Sequence, residues 1–209
     1  LRFGVTNGLE SSMFQLGKIL LLSTVSVLGT ASVAANAIGN NLASFQCVAG
    51  NALGLAIVTV VSRCIGAGSY EKARSYTSKL MKYTYLFMAV FIAVTLVSLP
   101  LLLRLYNVSD EAAGYARQIV WMHGVMGVLI WPLSFTLPQA LRAAGDTRFT
   151  MVVSTVSMWT MRVGFGILLG RHLGFGVLGI WMAMFVDWIL RIAFFLPRFH
   201  GHKWETMAL

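Results

Sequence analysis

The chain has 209 residues, 57% of them hydrophobic and only 11% charged, with a formal net charge of +9. Soluble domains carry about a quarter charged residues, so this composition excludes an ordinary water-soluble globule. The basic excess is dispersed between long apolar runs rather than massed in one patch, which argues against a nucleic-acid partner.

In chain order, the first long signal is a stretch of 44 residues between Lys18 and Arg63 without Asp, Glu, Lys or Arg. A bilayer's hydrocarbon core takes about 20 helical residues to cross, so this region predicts two spans, at 9–28 and 32–62. The first has Arg2 before it but no short apolar core ending in a small-residue cleavage site, so it reads as a span and not a signal peptide. Further spans follow at 83–103, which is uncharged, and at 119–141, which holds only His123. Arg162 interrupts the span at 149–170, and Asp187 and Arg191 lie in the one at 175–196. Each run is too long for a strand and lacks period-two alternation, which argues against a transmembrane barrel. The expected fold is all-α, a polytopic membrane protein with six transmembrane helices occupying residues 1–209 as one unit. The chain starts at Leu1 and not at Met, and is expected to belong to a longer protein.

Threading six spans collects Arg2, Arg63, Lys72, Arg74, Lys79, Lys82, Arg142, Arg148, Arg198 and Lys203 on one side. Only Arg104, Arg117 and Arg171 fall on the other. The positive-inside asymmetry then places both termini in the cytoplasm and the chain in the plasma (inner) membrane. Cys47 and Cys64 have no spaced partners and read as small apolar residues, and no metal-ligand set is present.

Two turns carry local structure. In "RCIGAGSYEKAR" (residues 63–74), Gly66 and Gly68 suit a helix end and Ser69 suits the cap of the next helix. In "LPQALRAAGDTRFTM" (residues 137–151), Gly145 ends one helix and Asp146 is expected to cap another. Gly50-x-x-x-Gly54 and Gly166-x-x-x-Gly170 mark close helix contacts. Pro132 and Pro138 each remove a ladder hydrogen bond from the fourth span, giving either a static kink or a bend that lets the bundle change shape.

Four segments in order, "GLESSMFQLGK" (8–18), "LGTASVAANAI" (28–38), "RCIGAGSYEKAR" and "LPQALRAAGDTRF", resemble the carboxy-terminal half of the multidrug and toxic compound extrusion (MATE) family. The resemblance covers nearly the whole chain. It implies one lobe of a two-lobe (6+6) secondary antiporter that exchanges a proton or sodium ion for a bulky organic, often cationic, compound. The amino-terminal six-helix lobe is the implied partner, with membrane lipid around both. No cofactor is implied beyond coupling to H+ or Na+. The sodium-coupled branch carries acidic residues on the first and fourth helices of this half. Glu10 matches the first, whereas 119–141 contains no carboxylate, so the coupling ion is not assigned by this half.

Charges within spans cost about 2.5–3.5 kcal/mol each when they face lipid, so they must face the bundle interior, an aqueous cavity or one another. Asp187 and Arg191 share a helix face at i,i+4 and are expected to pair, either to lock the last helix in place or to take part in transport. Glu10, Lys18, Asp187 and Arg191 are the expected intramembrane polar core, with Phe14 beside Glu10 and Lys18. Phe14, Gln15, Asn40, Gln46, Arg162 and Trp131 are candidates for lining a substrate cavity. Met122, Met126 and Phe135 would suit an adaptable apolar wall, and His123 reads as a packed core histidine. No clustered nucleophiles, paired carboxylates or H-E-x-x-H helix appears, so an enzyme is not expected. The alternative function is a lipid-linked saccharide flippase of the wider superfamily.

Overall fold

The structure, a computed structural model, describes residues 2–201 and 203–206, with side chains described at 11–201, 204 and 205. The Glu10 side chain, and with it the expected place of that carboxylate in the polar core, lies outside the described residues. Helix α1 covers Arg2–Ser26, α2 Thr30–Gln46, α3 Val48–Gly66 and α4 Tyr70–Tyr106. Helix α5 runs through Asp110–Ala143, α6 through Thr147–His172 and α7 through Gly176–His200. A 3-10 turn follows at Lys203–Thr206. The fold is all-α, with no strand among the described residues. Five helices, α3 to α7, are long and apolar enough to cross a membrane. The expected count of six needs α1 as a further crossing, and α1 is not among these five.

The region 32–62, expected as one span, is two helices meeting at Cys47, whose φ of −91° and ψ of −2° bend the rod without unwinding it. Hydrogen bonds bridge the bend, from Cys47 N to Ala43 O at 3.1 Å and from Asn51 N to Cys47 O at 2.9 Å. The two halves then take different neighbours: α2 lies mainly on α5, and α3 on α4 and the last turns of α5. Helix α7 packs on α5 and α6, and α1 packs on α6 and α2.

Helix α4 extends well beyond the apolar run 83–103 because 70–82 are good helix formers, with Glu71 in the first turn facing the positive dipole end. Its buried face is a single stripe, Ala73, Thr77, Met81, Thr84, Met88, Ile92, Thr95, Leu99 and Leu103, at spacings of three and four. Thr77, Thr84 and Thr95 donate their hydroxyls to the carbonyls four residues earlier, which removes the cost of burying them. Ser109 caps α5 by accepting from Ala112 N at 3.3 Å.

Both informative turns use the same device. Ser69 N bonds Cys64 O and Gly68 N bonds Ile65 O; Asp146 N bonds Leu141 O and Gly145 N bonds Arg142 O. These are Schellman closures, and they require the left-handed φ of +67° at Gly68 and +90° at Gly145. Neither expected side-chain cap forms. At Asp146 the reason is visible: its Oδ2 accepts from Arg198 Nε at 2.7 Å, so the carboxylate ties the turn to α7 instead.

The prolines of α5 do not break it. Pro132–Thr136 widens into a π-turn, with Leu137 N reaching back to Pro132 O, so the rod continues past the missing donors. Helix α6 has two such widenings, at Met158–Gly164 and Leu168–His172. π-turns rotate the following residues relative to a regular helix and are frequent at functional sites.

Two apolar clusters hold the bundle. One includes Met88, Ile92, Ile119, Trp131, Met158, Trp181 and Trp188. The other, at the opposite end, contains Ile57, Val61, Leu137, Leu141, Phe195, Phe199 and Trp204. The 3-10 turn completes the second, because Trp204 stacks on Phe199 at 5.7 Å while Arg74 of α4 pairs with Glu205 at 2.7 Å. At Gly50, α3 packs directly against side chains of α5 and α4: a Cβ there would overlap the Trp131 ring and lie 2.8 Å from Met88 Sδ. Gly50→Val is therefore expected to destabilise the bundle by about 1–3 kcal/mol through overpacking. Thermal unfolding of the detergent-solubilised protein, followed by circular dichroism, should show a lowered midpoint. An unchanged midpoint would mean that Trp131 moves aside without cost.

Candidate functional site

Asp187 and Arg191 sit one turn apart on α7, 0% and 3% exposed. Arg191 Nε donates to Asp187 Oδ1 at 2.8 Å. The α6 helix completes the arrangement. The Ser157 hydroxyl donates to Asp187 Oδ1 and lies 3.0 Å from the Asp187 carbonyl, while Arg191 Nη2 donates to Ser154 O at 3.2 Å. Ser154 and Ser157 are three apart on one helix face, just before the π-turn that begins at Met158. Asp187 Oδ2 has no hydrogen-bond partner among the described residues.

Aromatic rings complete the surroundings of Arg191. Its guanidinium lies 5.0 Å from the Phe135 centroid and 5.9 Å from that of Phe14. The Phe14 ring on α1 is shared by two more cations, Lys18 at 5.1 Å and Arg162 at 5.4 Å. Three positive groups from α1, α6 and α7 thus converge on one ring. Ring quadrupoles attract cations by about 0.5–2 kcal/mol each but leave their charge uncancelled.

Two clefts open on either side of this cluster. The larger, about 460 Å³, is lined by Phe14, Gln15, Asn51, Phe135, Arg142 and Arg191 among others. The smaller, about 340 Å³, has Lys18, Arg162, Asn36 and Asn40 on its polar side and Leu21, Val25, Trp181 and Met184 on its apolar side. Both fall in the size range of small-molecule sites. No carboxylate lines either cleft among the described residues. A third, wholly apolar groove of about 430 Å³ lies between α5 and α7, where Met122 and Met126 meet Trp121, Met182 and Phe185.

The structure brings Asp187 and Arg191 into contact, and Lys18 joins them only through the Phe14 ring. Phe14 and Gln15 line the larger cleft, and Asn40 and Arg162 the smaller. Trp131 and Gln46, expected at the cavity, line neither. Trp131 is 6% exposed and stacks on Phe135 at 5.2 Å, because the bare Gly50 backbone admits its indole. Gln46 is fully buried and accepts from His123 Nδ1 at 2.6 Å, which keeps the amide inside the α2–α5 contact. His123 is a packed histidine, edge-on to Trp181 and Trp188.

Ser154, Ser157 and Trp181 escaped the sequence reading. Asn36 Oδ1 accepts from Trp181 Nε1 at 3.1 Å and sets the wall of the smaller cleft. The Ser154-x-x-Ser157 spacing in an apolar run was the available signal, since it places two hydroxyls on one face.

The described residues thus form an all-helical bundle with five helices of membrane-spanning length, a charged interior and flanking clefts. A MatE family model matches residues 8–168, and the chain belongs to the MatE family. It is 26% identical over 210 residues to the "Probable multidrug resistance protein NorM" of Thermotoga maritima, covering all of this chain and 45% of that protein. The NorM of Burkholderia mallei, named in the same way, is 28% identical over 185 residues, covering 86% of this chain and 38% of that one. The chain therefore spans under half the length of these relatives. A solved structure of a MOP superfamily transporter from Pyrococcus furiosus, described as having a binding pocket of reverse polarity that suggests a different function, matches with a TM-score of 0.80. It covers 93% of this chain and 42% of that one at 23% identity, and shares the fold.

Proposed function

We propose that the chain forms one lobe of a cation-coupled secondary antiporter for multidrug efflux, completed by an amino-terminal six-helix lobe. Both termini then face the cytoplasm, and H+ or Na+ supplies the driving force. Family membership and relatives bearing multidrug-resistance names support this reading over a lipid-linked saccharide flippase. The observation that carries it is the buried Arg191–Asp187–Ser157 arrangement between α6 and α7, set beside an open cleft. A buried ion pair on α7 whose remaining hydrogen bonds go to Ser157 and Ser154 of α6, beside a cavity, is an element that can be made in one state and remade in another. That is the requirement for linking an ion gradient to a rocking motion of one bundle against its partner.

The test is flux. Proteoliposomes holding the full-length protein should accumulate an organic dye when a pH or sodium gradient is imposed, and lose that accumulation when the gradient is collapsed. Dye movement that ignores both gradients would overturn the coupling, and no movement of any dye would overturn drug export.

A further inference from the structure

We infer that the smaller cleft, between α1, α2, α6 and α7, binds the anionic group of an amphipathic organic anion, with Lys18 and Arg162 as its charge partners. This deepens the transport reading by naming a substrate class for that site, and it departs from the organic cations expected from the family resemblance.

The argument begins with charge. Asp187 is the carboxylate buried in the cluster, and its Oδ1 is already committed to Arg191 and Ser157. Lys18 and Arg162 form no ion pair among the described residues; the Asp187 charge acts on Arg162 from a distance but is shared with Arg191, so one carboxylate faces three cations. Both Lys18 and Arg162 are held beside the Phe14 ring. Their like charges repel across the ring. An anion placed between them relieves that repulsion, whereas an organic cation adds to it.

The remaining lining fits the same ligand. Asn36 spends its oxygen on Trp181 Nε1, which leaves its amide donors for an acceptor. Leu21, Val25, Ile180, Met184 and the Trp181 ring supply an apolar wall opposite the cations. One end of the cleft thus offers N–H donors and positive charge, and the other offers hydrocarbon and an indole face. A carboxylate, sulfonate or phosphate on a flat apolar body satisfies both ends, and the volume of about 340 Å³ accommodates it.

The test compares two dyes of similar ring system and opposite charge, carboxyfluorescein and rhodamine 6G. They are titrated against the full-length protein in phosphatidylcholine nanodiscs, with dye polarisation and tryptophan quenching as readouts. Carboxyfluorescein should bind and quench, and Lys18→Gln and Arg162→Gln should each weaken it about tenfold, the scale of one lost charged hydrogen bond. Lys18→Glu combined with Arg162→Glu should reverse the preference toward rhodamine 6G. Lys18 is exposed at the cleft mouth, so its variants keep the fold and the test stands even where an Arg162 variant does not fold. Repeating the titration with phosphatidylglycerol in the disc separates sources: competition lost in Lys18→Gln identifies a lipid headgroup as the anion, and its absence identifies a free solute. Equal carboxyfluorescein binding by wild type and both Gln variants, or preferential rhodamine 6G binding by wild type, would overturn the inference. Because binding is read without a gradient, it fails or holds independently of the flux experiment.

Discussion

Arg191→Met is expected to destabilise the protein by about 3–5 kcal/mol, the usual cost of leaving one member of a buried ion pair without its partner. Asp187 is wholly buried, its Oδ2 already lacks a hydrogen-bond donor, and removal of the guanidinium leaves only Ser157 on Oδ1. The variant also strips a donor from Ser154 O on α6. Adding Asp187→Asn should restore most of the lost stability, because a neutral amide is far cheaper to bury than a lone carboxylate. Chemical unfolding in detergent measures this, and the coupling between the two substitutions gives the strength of the pair. The same variants separate the two roles open to the pair. We expect the doubly neutral protein to fold and yet to lose gradient-driven flux, since Arg191, though only 3% exposed, is among the residues that line the larger cleft. Flux that returns together with stability would assign the pair to holding α7 against α6 and nothing more.

That pair was legible in the sequence because both partners lie on one helix, where a separation of four fixes their proximity whatever the rest of the molecule does. The turns at Gly68 and Gly145 were legible for a similar reason: left-handed closure is a local demand that glycine answers. What required the structure was register between helices. The bend at Cys47 carries no proline or glycine and keeps a helical backbone, so nothing local announces it. The π-turn at Pro132–Thr136 rotates the end of α5 and brings Ser134 Oγ within 2.9 Å of Trp188 O, a placement that depends on how far the helix widens. Trp131 and Gln46 are amphipathic residues equally suited to a cavity wall or to a helix contact. Only the bare backbone of Gly50 and the position of His123 decide in favour of contact. Asp146 shows the same limit, since a cap is a local expectation and Arg198, fifty-two positions away, outcompetes it.

Phe14→Leu is expected to impair transport severely while leaving the bundle folded. Leucine keeps an apolar body of moderate size but has no quadrupole, so Lys18, Arg162 and Arg191 each lose a ring contact at 5.1, 5.4 and 5.9 Å. At about 0.5–2 kcal/mol per contact, the summed loss is comparable with the cost of a core cavity, although Phe14 itself is only half-buried. The larger consequence is positional. The ring stands between the cations of the smaller cleft and the arginine of the larger one, and its bulk and quadrupole hold three like charges at separate positions around it. Without it, mutual repulsion drives Lys18 and Arg162 outward, which alters the smaller cleft at the point where a ligand is held. Phe14→Tyr preserves the ring and should retain most of the activity, so ordering the variants by ring character rather than by size is the discriminating observation. Dye flux in proteoliposomes measured for Phe14→Tyr, Phe14→Leu and Phe14→Ala, each checked for folding by circular dichroism, gives that order. If leucine supports flux as well as tyrosine does, the ring serves only as apolar bulk, and the three cations are held apart by their own helices.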